Sequence, residues 1–330
     1  MNYILTEKEY LCTFVNLIYS TQVSAPVFSK IISMKFLLAL TISFLSVTFA
    51  IGATINSYTP DSSAPKKLAG MKLVFNEEFN FQGSPDSEIW SFETGFKRNE
   101  ELQWYQSKNA SCKNGCLVIE GKKESFPNPN YVPDSKSWYT NRKDVHYTSA
   151  SINTAEKKSW LFGRFEVRAR IDTAMGAWPA IWTLGVSKEW PSCGEVDMLE
   201  FYRPNGVPSI LANVASGTNV RYKGKWNSVK KTLTSLMAKD KNWPKKFHIW
   251  RMDWSKDAIK LYVDNELLNT TLLSVTFNAD GTNPFLQPHY LLLNLALGAN
   301  GGDPDRSSFP IMFEVDYVRI YQRIDSKIVS

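Results

Sequence analysis

Histidine and cysteine are scarce in this sequence of 330 residues, which contains only three histidines and four cysteines. None of the histidines is spaced with a cysteine or with another histidine as a zinc site requires; they are His146, His248 and His289. This argues against catalytic zinc and against a Ser-His-Asp triad. The cysteines that follow residue 53 are Cys112, Cys116 and Cys193. An odd number argues against a disulfide framework, although Cys112 and Cys116 lie on one short turn and their pairing stays open.

Long basic runs and sustained helical periodicity are also nearly absent. The net charge of +6 is spread thinly over the length, and no Lys/Arg tract resembles an arm that binds nucleic acid, so we expect no nucleic-acid partner. Aromatic residues are the notable excess. All eleven tryptophans lie between Trp90 and Trp254, which is more than a core of this size needs.

The N-terminal region predicts export. Met34 and Lys35 precede an apolar run that ends in small residues at Ala53, a pattern typical of a secretory signal peptide. We predict a non-native or disordered extension over residues 1–33, the signal peptide over 34–53, a linker over 54–68 and one catalytic domain over 69–324. The protein is then secreted, periplasmic or at the cell surface, with no stable membrane association after signal removal. An uncleaved membrane anchor is the alternative, since the apolar run is near the short limit for spanning.

Period-two alternation is the strongest local pattern. Phe165, Val167, Ala169 and Ile171 alternate with charged residues, as in a half-buried strand. Similar short runs lie at residues 71–75, 117–120, 247–254, 259–263, 290–297 and 313–321. Many short strands without intervening helices predict the all-β class, as an antiparallel sandwich or barrel.

Three carboxylates, Glu195, Asp197 and Glu200, interrupt an apolar and β-prone run. On a regular strand Glu195 and Asp197 share one face, whereas Glu200 points to the other. Because a bare carboxylate in the core is costly, we predict a β-bulge at Met198 and Leu199 that turns Glu200 back beside the other two. A solvated acidic edge strand is the alternative, but it does not need the apolar neighbours.

Carboxylates on one face suit the hydrolysis of glycosides. A retaining glycosidase uses one carboxylate as nucleophile and another as acid, roughly 5–5.5 Å apart. Like charges held close together favour protonation of one of them. We predict Glu195 as the nucleophile, Glu200 as the acid that later activates water, and Asp197 as the partner that orients Glu195.

Several further segments carry a family likeness. They are residues 99–105 (NEELQWY), 162–170 (FGRFEVRAR), 176–182 (GAWPAIW), 190–200 (WPSCGEVDMLE), Phe285 with 290–296 (YLLLNLA), and 315–321 (VDYVRIY). Together they resemble glycoside hydrolase family 16, in its laminarinase-like (endo-β-1,3-glucanase) branch, over about residues 72–322. The resemblance implies a β-jelly-roll sandwich of the concanavalin A-like kind with a concave cleft. It also implies retaining endo-hydrolysis of β-1,3- or mixed β-1,3-1,4-glucans, with the same roles for the three carboxylates.

The resemblance further implies aromatic walls around the cleft. Trp178 and Trp182 match family positions near the cleavage point, where the C–H faces of sugars stack on rings; core packing is the alternative. Trp190 lies on the loop that enters the catalytic strand, and Asn99 lies in a polar loop that reaches the cleft in the family. Both are candidate substrate-binding residues, with simple loop packing as the alternative.

Two positions depart from the family pattern. Family glucanases often carry a histidine on the strand after the catalytic one, where this chain has Asn213. Asn213 is a candidate substrate-binding residue that donates and accepts hydrogen bonds but carries no charge. The glycine loop at 298–302 lacks a tryptophan that many laminarinases have there. These departures leave open an endo-β-galactosidase-type hydrolase of galactose-containing glycans. A non-catalytic carbohydrate-binding jelly roll is a separate alternative, although a pure lectin has no use for three crowded acids.

No cofactor is required for this chemistry. The family often holds a structural Ca²⁺, and Glu78 and Asp316 are the candidate side-chain ligands because calcium prefers oxygen donors. Exposed acids without a metal are the alternative. The expected partner is a polysaccharide substrate, and we expect a monomer.

Overall fold

The computed structural model describes residues 56–324, which are predominantly β-strand. In chain order the strands are β1 (Met71–Glu77), β2 (Ser91–Phe92), β3 (Gln103–Tyr105), β4 (Ala110–Lys113), β5 (Cys116–Pro127), β6 (Asp144–Ser149), β7 (Ser151–Asn153), β8 (Gly163–Ile171), β9 (Ala177–Gly185), β10 (Glu195–Tyr202), β11 (Ser209–Gly217), β12 (Gly224–Thr232), β13 (His248–Trp254), β14 (Ala258–Val263), β15 (Glu266–Leu272), β16 (His289–Leu297) and β17 (Ile311–Arg323). One short helix, α1, spans Leu233–Lys239, and short 3₁₀ helices lie at Ser107–Asn109, Pro204–Gly206, Trp243–Lys245, Leu273–Val275, Pro284–Leu286, Ala299–Gly301 and Pro304–Arg306.

The strands form two sheets. The outer sheet has the order β15-β14-β13-β8-β17-β5-β6-β3, with β1 also paired to β17 and β4 to β5. The cleft sheet has the order β12-β11-β10-β9-β16-β7-β2. The pairing is antiparallel except between β3 and β6. This topology confirms the prediction of an all-β sandwich.

The core lies between the two sheets. Phe165, Val167, Ala169 and Ile171 of β8 are buried in it, as their period-two spacing predicts. Val196 of β10 belongs to the same cluster, so the cleft sheet turns one face to the core and keeps the other for the site. The strand predicted for residues 165–171 is therefore confirmed.

The segment predicted as a linker lies against the outer sheet where the structure describes it. The buried guanidinium of Arg168 donates to the carbonyl oxygens of Asn56 (2.9 Å) and Thr59 (3.0 Å). The amide of Asp61 donates to the buried carboxylate of Asp316. Because buried charged groups need such partners, residues 56–61 complete the surface of the domain and do not extend from it as a free tether. The predicted extension and signal peptide, residues 1–53, lie outside the described residues.

The hairpin of β4 and β5 decides the question of a disulfide. Cys112 is opposite Leu117, and Cys116 is opposite Lys113. Opposite residues share a face and successive residues alternate, so the two cysteines point to opposite faces of the hairpin. Both are free and buried, as is Cys193. Across residues 56–324, no helix is long and apolar enough to cross a bilayer.

Candidate active site

The predicted β-bulge is present in β10. Asp197 is opposite Trp182 of β9, Leu199 is opposite Ile181 and Glu200 is opposite Ala180, so β10 carries one residue more than its neighbour. The pairing with β11 shifts at the same place. The extra residue restores Glu200 to the face that carries Glu195 and Asp197, and all three carboxylates line one cleft.

Each outer carboxylate of the trio accepts a hydrogen bond from an indole. Trp178 Nε1 donates to Glu200 Oε1 at 2.9 Å, and Trp190 Nε1 donates to Glu195 Oε2. Trp178 and Trp190 also line the cleft. Trp190 therefore offers a partly exposed ring beside the cleft as well as a donor to a carboxylate. Trp178 is only 6% exposed and acts mainly as the donor that holds Glu200 in place.

Asn213 lies behind the carboxylates. Its Nδ2 donates to Asp197 Oδ2 at 3.0 Å and to Glu200 Oε2 at 2.8 Å. The side chain is buried and is not part of the wall of the cleft. The structure therefore places Asn213 as a residue that positions two acids, which differs from the predicted contact with the sugar. The difference arises because Asn213 of β11 lies directly opposite Asp197 of β10, which brings its amide to the carboxylates.

Burial and mutual repulsion set the protonation of the trio. Desolvation and the charge of Glu195 raise the pKa of Glu200 to about 8, although Trp178 and Asn213 favour its ionised form. Desolvation, followed by both neighbouring glutamates, raises the pKa of Asp197 well above its ordinary value. Glu200 is therefore protonated at neutral pH, as its predicted role requires.

Glu195 has the more favourable surroundings for a negative charge. Desolvation is the largest influence and raises the pKa of Glu195 overall, while hydrogen bonds from Trp190 and Asp197 and the charge of Arg98 offset part of that rise. The guanidinium of Arg98 lies 5.2 Å from the ring centroid of Trp182 and forms an ion pair with Glu93. The arrangement can thus supply one anionic nucleophile and one neutral acid.

The remaining predicted binding residues also line the cleft, which has a volume of about 730 Å³. Trp182 is largely buried, and its Nε1 donates to Asn294 Oδ1 at 2.7 Å. Asn99 is exposed, and its Nδ2 donates to Glu101 Oε1 at 3.2 Å. Trp182 therefore lies in the wall of the cleft, as predicted, and is also packed against its neighbours, as in the alternative.

Several cleft residues were not predicted from the sequence. They are Arg98, Tyr139, Tyr202, Tyr222, Trp226 and Tyr290. One local signal was available for Trp226, because it is the only aromatic residue in the polar strand β12. This pattern predicts an exposed ring, which becomes informative only beside the other exposed aromatic residues of the cleft.

Glu78 and Asp316 do not fit the calcium site predicted for them. Arg319 engages both oxygens of the Glu78 carboxylate, at 2.9 and 2.8 Å. Arg168 forms a buried ion pair with Asp316. Each carboxylate is already neutralised by a guanidinium that repels a divalent cation. Over the described part of the chain, no group of three or more His, Cys, Asp or Glu side chains is arranged to hold a metal ion.

Comparison with known proteins identifies relatives over most of the chain. Residues 98–318 match the sequence model of the family described as glycosyl hydrolases family 16. A β-glucanase from Rhodothermus marinus is 32% identical over 297 residues, which cover 84% of this chain and 94% of that protein.

Solved structures agree with this match. The laminarinase catalytic domain from Thermotoga maritima is 30% identical with a TM-score of 0.63, covering 77% of this chain and 99% of that one. A structure from work on endo-acting O-glycanases, which prominent members of the human gut microbiota express to initiate mucin breakdown, is 36% identical. Its TM-score is 0.70, with 79% of this chain and 94% of that chain covered.

Proposed function

The chain belongs to glycosyl hydrolases family 16, and from this membership we propose that it cuts internal β-1,3- or mixed β-1,3-1,4-linkages of glucans such as laminarin, with retention of configuration. The relatives described as a β-glucanase and a laminarinase support the substrate. The observation that carries the proposal is the bulge in β10, which places Glu195, Asp197 and Glu200 on one wall of the cleft.

In the first step, Glu195 attacks the anomeric carbon and Glu200 donates its proton to the oxygen of the leaving sugar. The glycosidic bond breaks as the ester to Glu195 forms. Esterification removes the negative charge of Glu195, which had helped to raise the pKa of Glu200. Glu200 can then stay ionised and take a proton from water. That water attacks the same carbon and releases Glu195, so two inversions give net retention.

Substitution of the nucleophile tests the mechanism. Glu195→Gln should lower the release of reducing ends from laminarin by at least about 10³-fold, as expected for the loss of a nucleophile. Glu88→Gln is the matched control, because Glu88 is exposed and lies outside the cleft. Undiminished activity of Glu195→Gln would exclude Glu195 as the nucleophile. Early appearance of the α-anomer in an NMR time course with a β-glucan would contradict retention.

A second candidate substrate is a galactose-containing glycan. A relative described as a keratan-sulfate endo-1,4-β-galactosidase from Sphingobacterium multivorum, 28% identical over 256 residues, favours it. The loop at 298–302 also contributes only the small Asn300 to the cleft wall, where many laminarinases have a tryptophan. A panel of laminarin, lichenan, agarose, galactan and keratan separates the two candidates by which polymer gains reducing ends. A polymer that binds with no cleavage would favour a non-catalytic module.

We also propose export and action as a monomer. The predicted signal peptide at residues 34–53 supports export. A single chain supplies all three carboxylates of the trio, so the proposed chemistry requires no second copy. Cell fractionation and light scattering after gel filtration test these two statements. Retention in the cytoplasmic fraction, or a dimer at micromolar concentration, would contradict them.

A further inference from the structure

Three large aromatic rings on the rim of the cleft have no part in the chemistry described above. Tyr139, Tyr222 and Trp226 line the cleft and are 42%, 55% and 46% exposed. Adjacent aromatic surface of this size, left in water, is typical of a binding site. Such a site requires a ligand whose surface matches aromatic rings.

The register of the cleft sheet places Trp226 on the side of the carboxylates. Glu195 is opposite Ala215, and Ala215 is opposite Trp226. Residues directly opposite in antiparallel strands share a face. Trp226 therefore lies on the same face as Glu195, two strands away, or about 10 Å between backbones. A polysaccharide bound at Glu195 and extending along this row reaches the ring.

Polar contacts hold the two tyrosines in position. Tyr222 Oη donates to Glu189 Oε1 at 2.7 Å, and the Arg221 guanidinium lies 4.7 Å from the Tyr222 ring centroid. Tyr139 Oη donates to the carbonyl oxygen of Lys97 at 3.1 Å. Rings fixed by their hydroxyl groups lose less conformational entropy when a ligand binds.

The two tyrosines come from different loops. Tyr139 lies in the connection between β5 and β6, and Tyr222 lies in the hairpin between β11 and β12. The Tyr139 ring also stacks on Trp138, with 4.2 Å between centroids. Both rings belong to the wall of the same cleft. A ligand in this part of the cleft therefore contacts aromatic surface from two loops.

We propose that Tyr139, Tyr222 and Trp226 form a distal subsite that stacks neutral pyranose rings of the polymer, beyond the site of cleavage. The inference rests on the proposed function and deepens it. Continuity with the catalytic cleft and the match between aromatic faces and the C–H faces of sugars support this occupant. The subsite makes the enzyme prefer long chains over short ones.

The test compares polymer with short substrate in Tyr222→Ala, Trp226→Ala and the double variant. We expect KM for laminarin to rise about tenfold in the double variant, because a tenfold change corresponds to the loss of about 1.4 kcal/mol of stacking free energy. Hydrolysis of an aryl β-laminaribioside should change less than twofold. Phe277→Ala is the control, because Phe277 is 47% exposed and lies outside the cleft.

Two kinetic outcomes and one binding outcome would overturn the subsite. Unchanged KM for laminarin in the double variant excludes stacking there, and an equal loss on both substrates places the rings at the catalytic centre. If the parent enzyme cleaves another polymer of the panel and not laminarin, the glucan assignment fails alone, and the same comparison is made with that polymer. Retardation in native gels that contain the polysaccharide measures the subsite without hydrolysis, and equal retardation of parent and double variant would refute it.

Discussion

Trp178→Phe isolates the hydrogen bond between an indole and the proposed acid. The variant keeps an aromatic ring at this position but removes the N–H that donates to Glu200 Oε1 at 2.9 Å. That bond favours the ionised carboxylate and lowers the pKa of Glu200. Its loss must therefore raise the pKa, and the acid should stay protonated to higher pH.

The size of the effect follows from the strength of the bond. A hydrogen bond to a charged group contributes about 1.5–3 kcal/mol, and a change of one in pKa corresponds to about 1.4 kcal/mol. Asn213 still donates to Glu200 in the variant, so we take the lower end of this range. The basic limb of kcat/KM, set near the pKa of about 8 of Glu200, should move up by about one pH unit.

The assay is kcat/KM on laminarin from pH 4 to pH 11. Trp182→Phe is the matched control, because it loses an indole bond to Asn294 and not to a carboxylate of the trio. The control should leave the basic limb in place. A basic limb that stays fixed or moves to lower pH in Trp178→Phe would refute the reasoning.

Three further outcomes follow from the charges of the site and of the outer sheet. Arg98→Gln should move the acidic limb of kcat/KM to higher pH, since the cation lowers the pKa of Glu195. Arg98→Lys should return this limb to its position in the parent enzyme. An acidic limb at the same pH in both variants would contradict this expectation. Glu200→Gln should match the parent in Tm near pH 4 and exceed it by a few degrees near pH 8, because a raised pKa costs the parent stability as the pH rises above the ordinary value. A lower Tm of Glu200→Gln at pH 8 would contradict the assigned burial penalty. Chelation by EDTA should leave the Tm unchanged, because Arg168 and Arg319 already neutralise Asp316 and Glu78; a calcium-dependent rise of several degrees would show a site elsewhere.

The strands and the bulge could be predicted from local sequence patterns, because each pattern shows which residues share one face of a sheet. The run from Phe165 to Ile171 alternates in sequence and is buried on one side in the structure. The bulge was predictable because Val196, Met198, Leu199 and Phe201 all need the core, and a regular strand cannot bury them and also keep the carboxylates together. Spatial strand order was not predictable in the same way, since it depends on pairing between distant segments.

The features that were not predicted depend on contacts between segments that are far apart in the sequence. Arg98 reaches Trp182 from a loop more than eighty residues away, and no spacing rule connects them. The segment at 56–61 has the composition of a linker, yet the buried Arg168 draws its carbonyl groups onto the outer sheet. Polar composition alone predicts exposure, whereas a buried guanidinium must find acceptors wherever the fold supplies them.

Asn213 links the departure from the family pattern to the protonation of the acid. Its amide contacts Asp197 and Glu200 together, so any charge at this position acts on both. A protonated histidine there stabilises the carboxylate of Glu200 and lowers its pKa by the attraction of opposite charges. A neutral amide provides hydrogen bonds with no net charge, and the pKa of Glu200 then stays near 8. A neutral amide at position 213 therefore lets Glu200 remain an acid at higher pH than a protonated histidine there would.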